Sequence, residues 1–277
     1  MRKNGFTLVE AIVVIAILLI LGGLLTPIVS NQLQNKKIEV TEEKLKKIKK
    51  AIIGDPSVVQ FGQRTDFGYV GDMGNVPGAL VDLIVQGTQP SWQFYTNWGT
   101  YTDVLLGAGW RGPYLDPTRY PDGRYESLMD GWGRNFVYES PGGNIIRRIR
   151  SYGPNGVSET CGNDDICVDI FRDEIGGFVQ GNTWNECGVG VQYQEIRIFY
   201  PSNGALTSLA VTPAAGQLWF STPTGTLIPI GTRRLFVDTD ISAPGIAYDL
   251  KQFLVISNGP SLSINLRRNL TCASPSP

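Results

Sequence analysis

The sequence predicts an α+β protein: a long N-terminal helix packed on an antiparallel sheet, followed by a C-terminal all-β, sandwich-like domain. Three observations carry this prediction. Residues 6–29 form an almost uninterrupted apolar run that passes, with no loop, into a stripe of helical period. A strand pair flanking a Pro-Gly-Gly turn follows near residue 140. Between 190 and 270, short apolar segments alternate with turn signals.

The totals agree. A chain of 277 residues can bury a good core and form two compact units. Its 33 Gly and 17 Pro, with 10% aromatics, point to a loop-rich, β-leaning head and not to disorder. The net charge of −1 is unevenly spread. Residues 36–50 carry seven Lys against three Glu, while residues 51–277 carry 15 basic and 21 acidic groups. The basic run shares a segment with helical periodicity, so it reads as a solvated helix face and no nucleic-acid partner is expected.

Histidine is absent. That excludes Ser-His-Asp and Cys-His catalysis, His-ligated zinc and a His general base. The four cysteines, Cys161, Cys167, Cys187 and Cys272, form no C-x-x-C pair, so a redox motif or zinc ribbon has no support. An even count in an exported chain suggests two disulfides with three pairings open. Cys161–Cys167 with Cys187–Cys272 is the expected one and would tie the C-terminus to the head.

The chain opens with a cationic stub, Met1 to Gly5. From Phe6 to Val29 only Thr7, Glu10 and Thr26 interrupt the apolar run. Such a helix rises about 36 Å at 1.5 Å per residue, enough to cross a bilayer core of roughly 30 Å. Arg2 and Lys3 would hold its N-terminus on the cytoplasmic side. A secretory signal peptide would show a shorter apolar region and a small-residue cleavage site, and Thr26–Ser30 is a poor match. Pro27 is expected to break the hydrogen-bond ladder and bend the helix. Beyond it Ile38, Thr41, Leu45, Ile48 and Ile52 recur at spacings of three and four, one apolar stripe. Glu39, Glu42 and Glu43 precede Lys44, Lys46 and Lys47 in the favourable order for helix ion pairs. Ile53-Gly54-Asp55-Pro56 is a stop signal.

Glu10 is a carboxylate in an otherwise apolar span, a placement costing a few kcal/mol unless the group finds a partner. The run Gly5-Phe6-Thr7-Leu8-Val9-Glu10 resembles the cleavage and methylation motif of type IV prepilins and pseudopilins. The resemblance implies cleavage between Gly5 and Phe6 by a membrane peptidase, N-methylation of Phe6, and pairing of Glu10 with the new α-amino group of a neighbouring subunit. It divides the chain into a leader 1–5, a helix 6–53 (6–29 membrane or filament core, 30–53 amphipathic), a head 54–185 and a β-rich domain 186–277. The implied location is the inner membrane, single-pass, with the N-terminus cytoplasmic and the head periplasmic or extracellular before extraction into a filament. The implied partners are other pilins, the prepilin peptidase and an inner-membrane assembly platform.

The head adds Gly71–Pro77, Ala79–Ile84, Trp110–Leu115, Asp130-Gly131-Trp132-Gly133 leading to Phe136-Val137-Tyr138, and Ser151–Gly156. These resemble the globular part of the major pseudopilin of type II secretion. Gly131 stands where that family usually has proline. Phe136–Tyr138 and Ile145–Ile149 flank a Pro-Gly-Gly turn and predict a hairpin. The following loop is rich in oxygen donors suited to a hard cation. The resembled family binds calcium there, which implies Asn155, Asp164, Asp165 and Asp169 as ligands; Asn155 replaces a usual aspartate. The spacing is not that of an EF-hand. No cofactor is expected to be essential, and Ca²⁺ is the one candidate. A solvated acidic turn closed by Cys161–Cys167 is the alternative.

In the C-terminal part Gln192–Tyr200, Gln217–Phe220, Thr226–Ile230, Arg233–Val237, Gln252–Ser257 and the alternating 261–267 read as strands. Turns are expected at Ser202-Asn203-Gly204, Pro223-Thr224-Gly225, Ala243-Pro244-Gly245 and Asn258-Gly259-Pro260. Asp238 and Asp240 read as a turn and not as an acid–base pair, and residues 273–277 as a mobile end. The functional expectation is a non-enzymatic pseudopilin of protein secretion whose C-terminal domain contacts cargo. The alternatives are a minor pilin whose extension binds a surface ligand and, in another class, a membrane-anchored enzyme.

Overall fold

The computed structural model describes residues 8–185, 195–212, 218–238, 248–257 and 261–268, without the side chains of 20–28, 183–185, 238, 248–249, 261 and 267–268. The chain begins with α1 (Leu8–Ile53), 46 residues and about 69 Å long at 1.5 Å per residue. Pro27 lacks the N–H for one intrahelical bond, and α1 continues through it as a single element. Thr41, Leu45, Ile48 and Ile52 are buried and Ile38 half-buried, the stripe expected from their spacing. Fully burying such aliphatic side chains stabilises by about 1.5–3 kcal/mol each. Glu42–Lys46 (3.8 Å) and Lys36–Glu39 (2.8 Å) pair along the exposed face.

The head follows: the hairpin β1 (Val59–Gln60) and β2 (Gln63–Arg64), the short α2 (Gly68–Met73), the pair β3 (Gln93–Tyr95) and β4 (Leu106–Ala108), then β5 (Val137–Glu139), β6 (Ile145–Ser151) and β7 (Ile166–Phe171). The last three form an antiparallel sheet in that order. Its inward residues Ile149 and Ile170 join Leu45, Ile48, Ile52, Val70 and Leu83 in one core between sheet, α1 and α2. The expected hairpin is therefore present, with a third strand against α1.

After the one-turn α3 (Arg172–Ile175) come β8 (Gly176–Asn185), β9 (Glu195–Ser202), β10 (Ala205–Val211), β11 (Trp219–Ser221), β12 (Ile228–Pro229), β13 (Gly231–Asp238), β14 (Tyr248–Ile256) and β15 (Ser261–Arg268). One sheet has the order β10-β9-β13-β14; in the other β8 pairs antiparallel with β11 and β12 and parallel with β15. Val179, Ile196, Ile198, Phe220, Leu235, Leu254 and Leu266 from both sheets share one buried cluster, the arrangement of a sandwich. Asn203 (φ 49°) and Gly204 (φ 75°) form the tight turn joining β9 to β10, where a turn was expected. The turns at 243–245 and 258–260, Asp240, Cys187, Cys272 and the tail lie outside the described residues. Asp238 is the last residue of β13.

Within the sandwich two strands, β8 and β10, were not anticipated, and in the head β1 to β4 and β7 were not. β8 is glycine-rich, and a Cβ at Gly181 would lie 1.9 Å from Ile264 O, so glycine lets β15 approach. Its ladder partners all come from 219–268, although its sequence falls in the span 54–185 assigned to the head.

Head and sandwich are joined by buried contacts. The Arg233 guanidinium is buried and donates to Gly71 O at 3.3 Å, Pro229 O at 3.0 Å and Thr232 O at 3.0 Å, and also to Ile230 O. Burial pulls its pKa down to about 9, with Asp72 opposing the shift. On the outer face of the first sheet Phe199, Phe236, Trp98 and Tyr101 pack edge to face with centroids 5.0–6.3 Å apart. Arg197 stacks 5.0 Å from the Tyr101 ring centroid, a contact that binds head loop to sheet, and Arg234 stacks 4.1 Å from that of Phe253, between β13 and β14 within the sheet.

Candidate functional site

The helix divides into two functional halves. From Thr41 onward one face is covered by the head, whereas Leu8, Ile12, Val13, Ile15, Leu18 and Leu19 are all exposed, Leu8 at 76%. Leaving an apolar face this large in water is unfavourable and marks an interaction surface. Glu10 lies in the first turn of α1 and is exposed. A carboxylate there is favoured by the partial positive charge of the helix N-terminus. Gly5 and Phe6 lie outside the described residues. Among the described residues, no helix is long and apolar enough to cross a membrane.

The head is seated on α1 by the turn Asp130–Arg134. Asp130 is buried. One oxygen of its carboxylate accepts from the backbone N–H of Trp132 and of Arg134, each at 2.9 Å, and the other from the Ser151 hydroxyl at 2.7 Å. This geometry presents the Gly131 N–H to the Thr41 hydroxyl at 2.9 Å, and that hydroxyl donates to Lys37 O at 2.7 Å. A Cβ at Gly131 would lie 2.3 Å from Lys37 O. Proline, usual in the resembled family, would lose the donor and meet the helix backbone. Trp132 Nε1 reaches Gln34 Oε1 at 3.1 Å, Lys44 reaches Glu126 O at 2.9 Å, and Lys49 pairs with Glu174 at 2.7 Å. Thr41 belongs to the stripe expected from the sequence; Gln34 and Lys49 were not singled out, and nothing local marks them as docking residues.

The acidic loop has a different geometry from a cation cage. Arg148 stands opposite Asp169 in the β6–β7 register and binds both its oxygens, at 2.6 and 2.8 Å. The Asp165 side chain is buried; its Oδ2 accepts from Glu159 N at 2.9 Å and lies 3.3 Å from Arg150, which also binds Glu139 at 2.5 Å. Asn155 turns its amide N–H groups to Glu159 (2.9 Å) and Asp164 (2.8 Å) and accepts from Val157 N (2.8 Å). Among the described residues no group of three or more His, Cys, Asp or Glu is arranged to hold a metal ion. Asn155 and Asp164 thus bond each other, while Asp165 and Asp169, four residues apart along the chain, are held by Arg150 and Arg148. Cys161 and Cys167 form the expected disulfide. Arg148 and Arg150 could have been suspected, because they alternate with buried Ile149 and so share the strand face opposite the core.

Comparison with known families gives two matches. Residues 1–26 match the prokaryotic N-terminal methylation motif, and residues 95–169 match protein G of the type II secretion system. No curated protein matches the chain. The two matches support a type IV pilin or pseudopilin family for this chain, and the motif suggests an N-terminally anchored membrane protein. Both families are structural subunits. The sandwich strands from 176 onward lie beyond the second match.

Proposed function

We propose that this chain is a structural subunit of a pseudopilus serving type II protein secretion, made as a prepilin, cut between Gly5 and Phe6 and N-methylated at Phe6. The carrying observation is the two-part helix: an apolar half left open by its own head, and a half that holds the head by a buried stripe. Before assembly the apolar half, residues 6–29, spans the inner membrane with the head outside the cytoplasm. In the filament the same surface is buried against identical helices. Glu10 there neutralises the α-amino group of a neighbour's Phe6, because charges left unpaired in an apolar core are costly. Assembly also calls on the peptidase and an inner-membrane platform. Co-expression with a prepilin peptidase tests the processing step. The expected mature chain begins at methylated Phe6, lacking residues 1–5; an unprocessed chain in the presence of active peptidase would refute it.

The sandwich beyond the matched region favours a second reading, a minor subunit of a surface pilus whose extension binds a ligand. Under either reading the sandwich is a binding module for secreted cargo or a surface ligand. Deleting residues 190–277 separates the two: a secretion defect supports the first and an adhesion defect the second.

A further inference from the structure

The outer face of the second sandwich sheet carries a surface that neither the helix nor the head explains. Strands β11, β8 and β15 lie side by side there, and their register fixes what each presents. Phe220, Val179 and Leu266 point into the core between the sheets, with Ile264 packed against it. Side chains alternate along a strand, so the residues between these stand on the opposite face. One row across the three strands is Trp219, Asn182 and Asn265; the next is Ser221, Gln180 and Ser263. Trp219 is 47% exposed, Ser263 and Asn265 are exposed, and Asn182, Gln180 and Ser221 are half-buried. Among the described residues the five polar side chains make no hydrogen bond, so their donors and acceptors are open to a ligand. With strands about 4.8 Å apart and same-face residues about 6.8 Å apart, the two rows cover about 10 by 7 Å.

This composition selects a ligand class. The rows hold an indole, three carboxamides and two hydroxyls, with no formal charge. They offer nothing to a phosphate, a carboxylate or a basic peptide, each of which is recognised by an opposite charge. A protein partner is held by clustered aromatic and arginine anchors in a patch that excludes water. Here a single indole stands among groups that keep their water. A neutral sugar chain meets both parts of the surface. A pyranose ring has a face of apolar C–H groups that can lie on the indole, and a rim of hydroxyls that donate and accept at once. Asn and Gln each present two donors and an acceptor in one plane, and Ser one donor with two lone pairs.

We infer that this face of the sandwich binds a neutral polysaccharide, with Trp219 stacking on a sugar ring and Asn182, Asn265 and Gln180 bonding its hydroxyls. The inference gives a ligand class to the binding role proposed above for the sandwich and rests on that role. It does not depend on filament assembly. All three strands lie beyond residues 95–169, so the face is no part of the region that matches protein G.

The test incubates the full chain, in a detergent without a sugar headgroup, with microcrystalline cellulose, chitin, cross-linked dextran and, as a charged counterpart, polygalacturonate beads. Protein depleted from solution is measured. The expected result is retention on a neutral polysaccharide, weakened about tenfold in Trp219→Ala at unchanged Tm. Retention on polygalacturonate alone, equal retention of native chain and variant, or no retention at all overturns the inference. If Trp219→Ala lowers the Tm, Asn265→Ala at an exposed position takes its place. A several-fold loss of retention is then expected, and undiminished retention overturns the inference. Deletion of residues 190–277 separates this failure from that of the binding role. A secretion or adhesion defect with no retention overturns the polysaccharide alone; no defect and no retention overturns both.

Discussion

The backbone N–H of Gly131 donates to the hydroxyl of Thr41 at 2.9 Å, across 90 positions of sequence, and fixes the head to the helix that carries it. Thr41→Val keeps the shape and removes the acceptor, leaving the Gly131 N–H unsatisfied. A loss of about 1–3 kcal/mol is expected in denaturant unfolding. Gly131→Ala drives a methyl against Lys37 O and should cost a similar amount. Native-like stability in both variants would remove this turn from the docking surface.

The two halves of α1 should respond oppositely to the same kind of truncation. Ile48→Ala opens a cavity in the head core and should destabilise by about 2–5 kcal/mol. Leu19→Ala, at an exposed position, should leave head stability within about 0.5 kcal/mol. Thermal unfolding of the detergent-solubilised chain reads both.

In the acidic loop, Arg150→Met leaves Asp165 buried beside no cation and should cost about 3–5 kcal/mol, partly recovered by adding Asp165→Leu. Replacing Cys161 and Cys167 by Ser removes a short loop closure and should cost about 2 kcal/mol. Calorimetric titration of the chain with millimolar Ca²⁺ should give no heat; saturable binding would show that the arginine pairs yield to the ion.

Asp72 supplies a pH signature. Burial raises its pKa, against the opposing pull of Arg111, Tyr114 and Arg233. A carboxyl raised in the folded state favours folding below its unfolded pKa of about 3.9, and that advantage fades as pH climbs through the folded value. The Tm of Asp72→Asn relative to the native chain should therefore rise as pH moves from about 3.5 to neutrality. A constant or falling difference would mean that the carboxylate is not penalised by its site.

Local periodicity made much of this architecture legible. The three-four spacing of Thr41, Leu45, Ile48 and Ile52 marks the face that the head buries, and the Pro-Gly-Gly turn marks the β5–β6 hairpin. Asn203-Gly204 marks the β9–β10 turn. Features that depend on distant partners were not legible. Glycines in β8 obscure its alternation because they serve a neighbouring strand, and β15 comes from the far end of the chain. The residues of the acidic loop do not by themselves reveal that the register of β6 against β7 places Arg148 on Asp169. Gly131 looks like a departure from a motif until the helix carbonyl beside it is located.

The central claim is that α1 assembles this chain into a filament with Glu10 setting the pairing. Filament yield of Glu10→Val, measured by shearing and immunogold microscopy alongside N-terminal mass analysis, tests it most directly. The account predicts a chain that is still inserted and still cleaved at Phe6, with yield down about tenfold or more, since each 1.4 kcal/mol of lost pairing is a factor of ten. Normal filaments from that variant would contradict it.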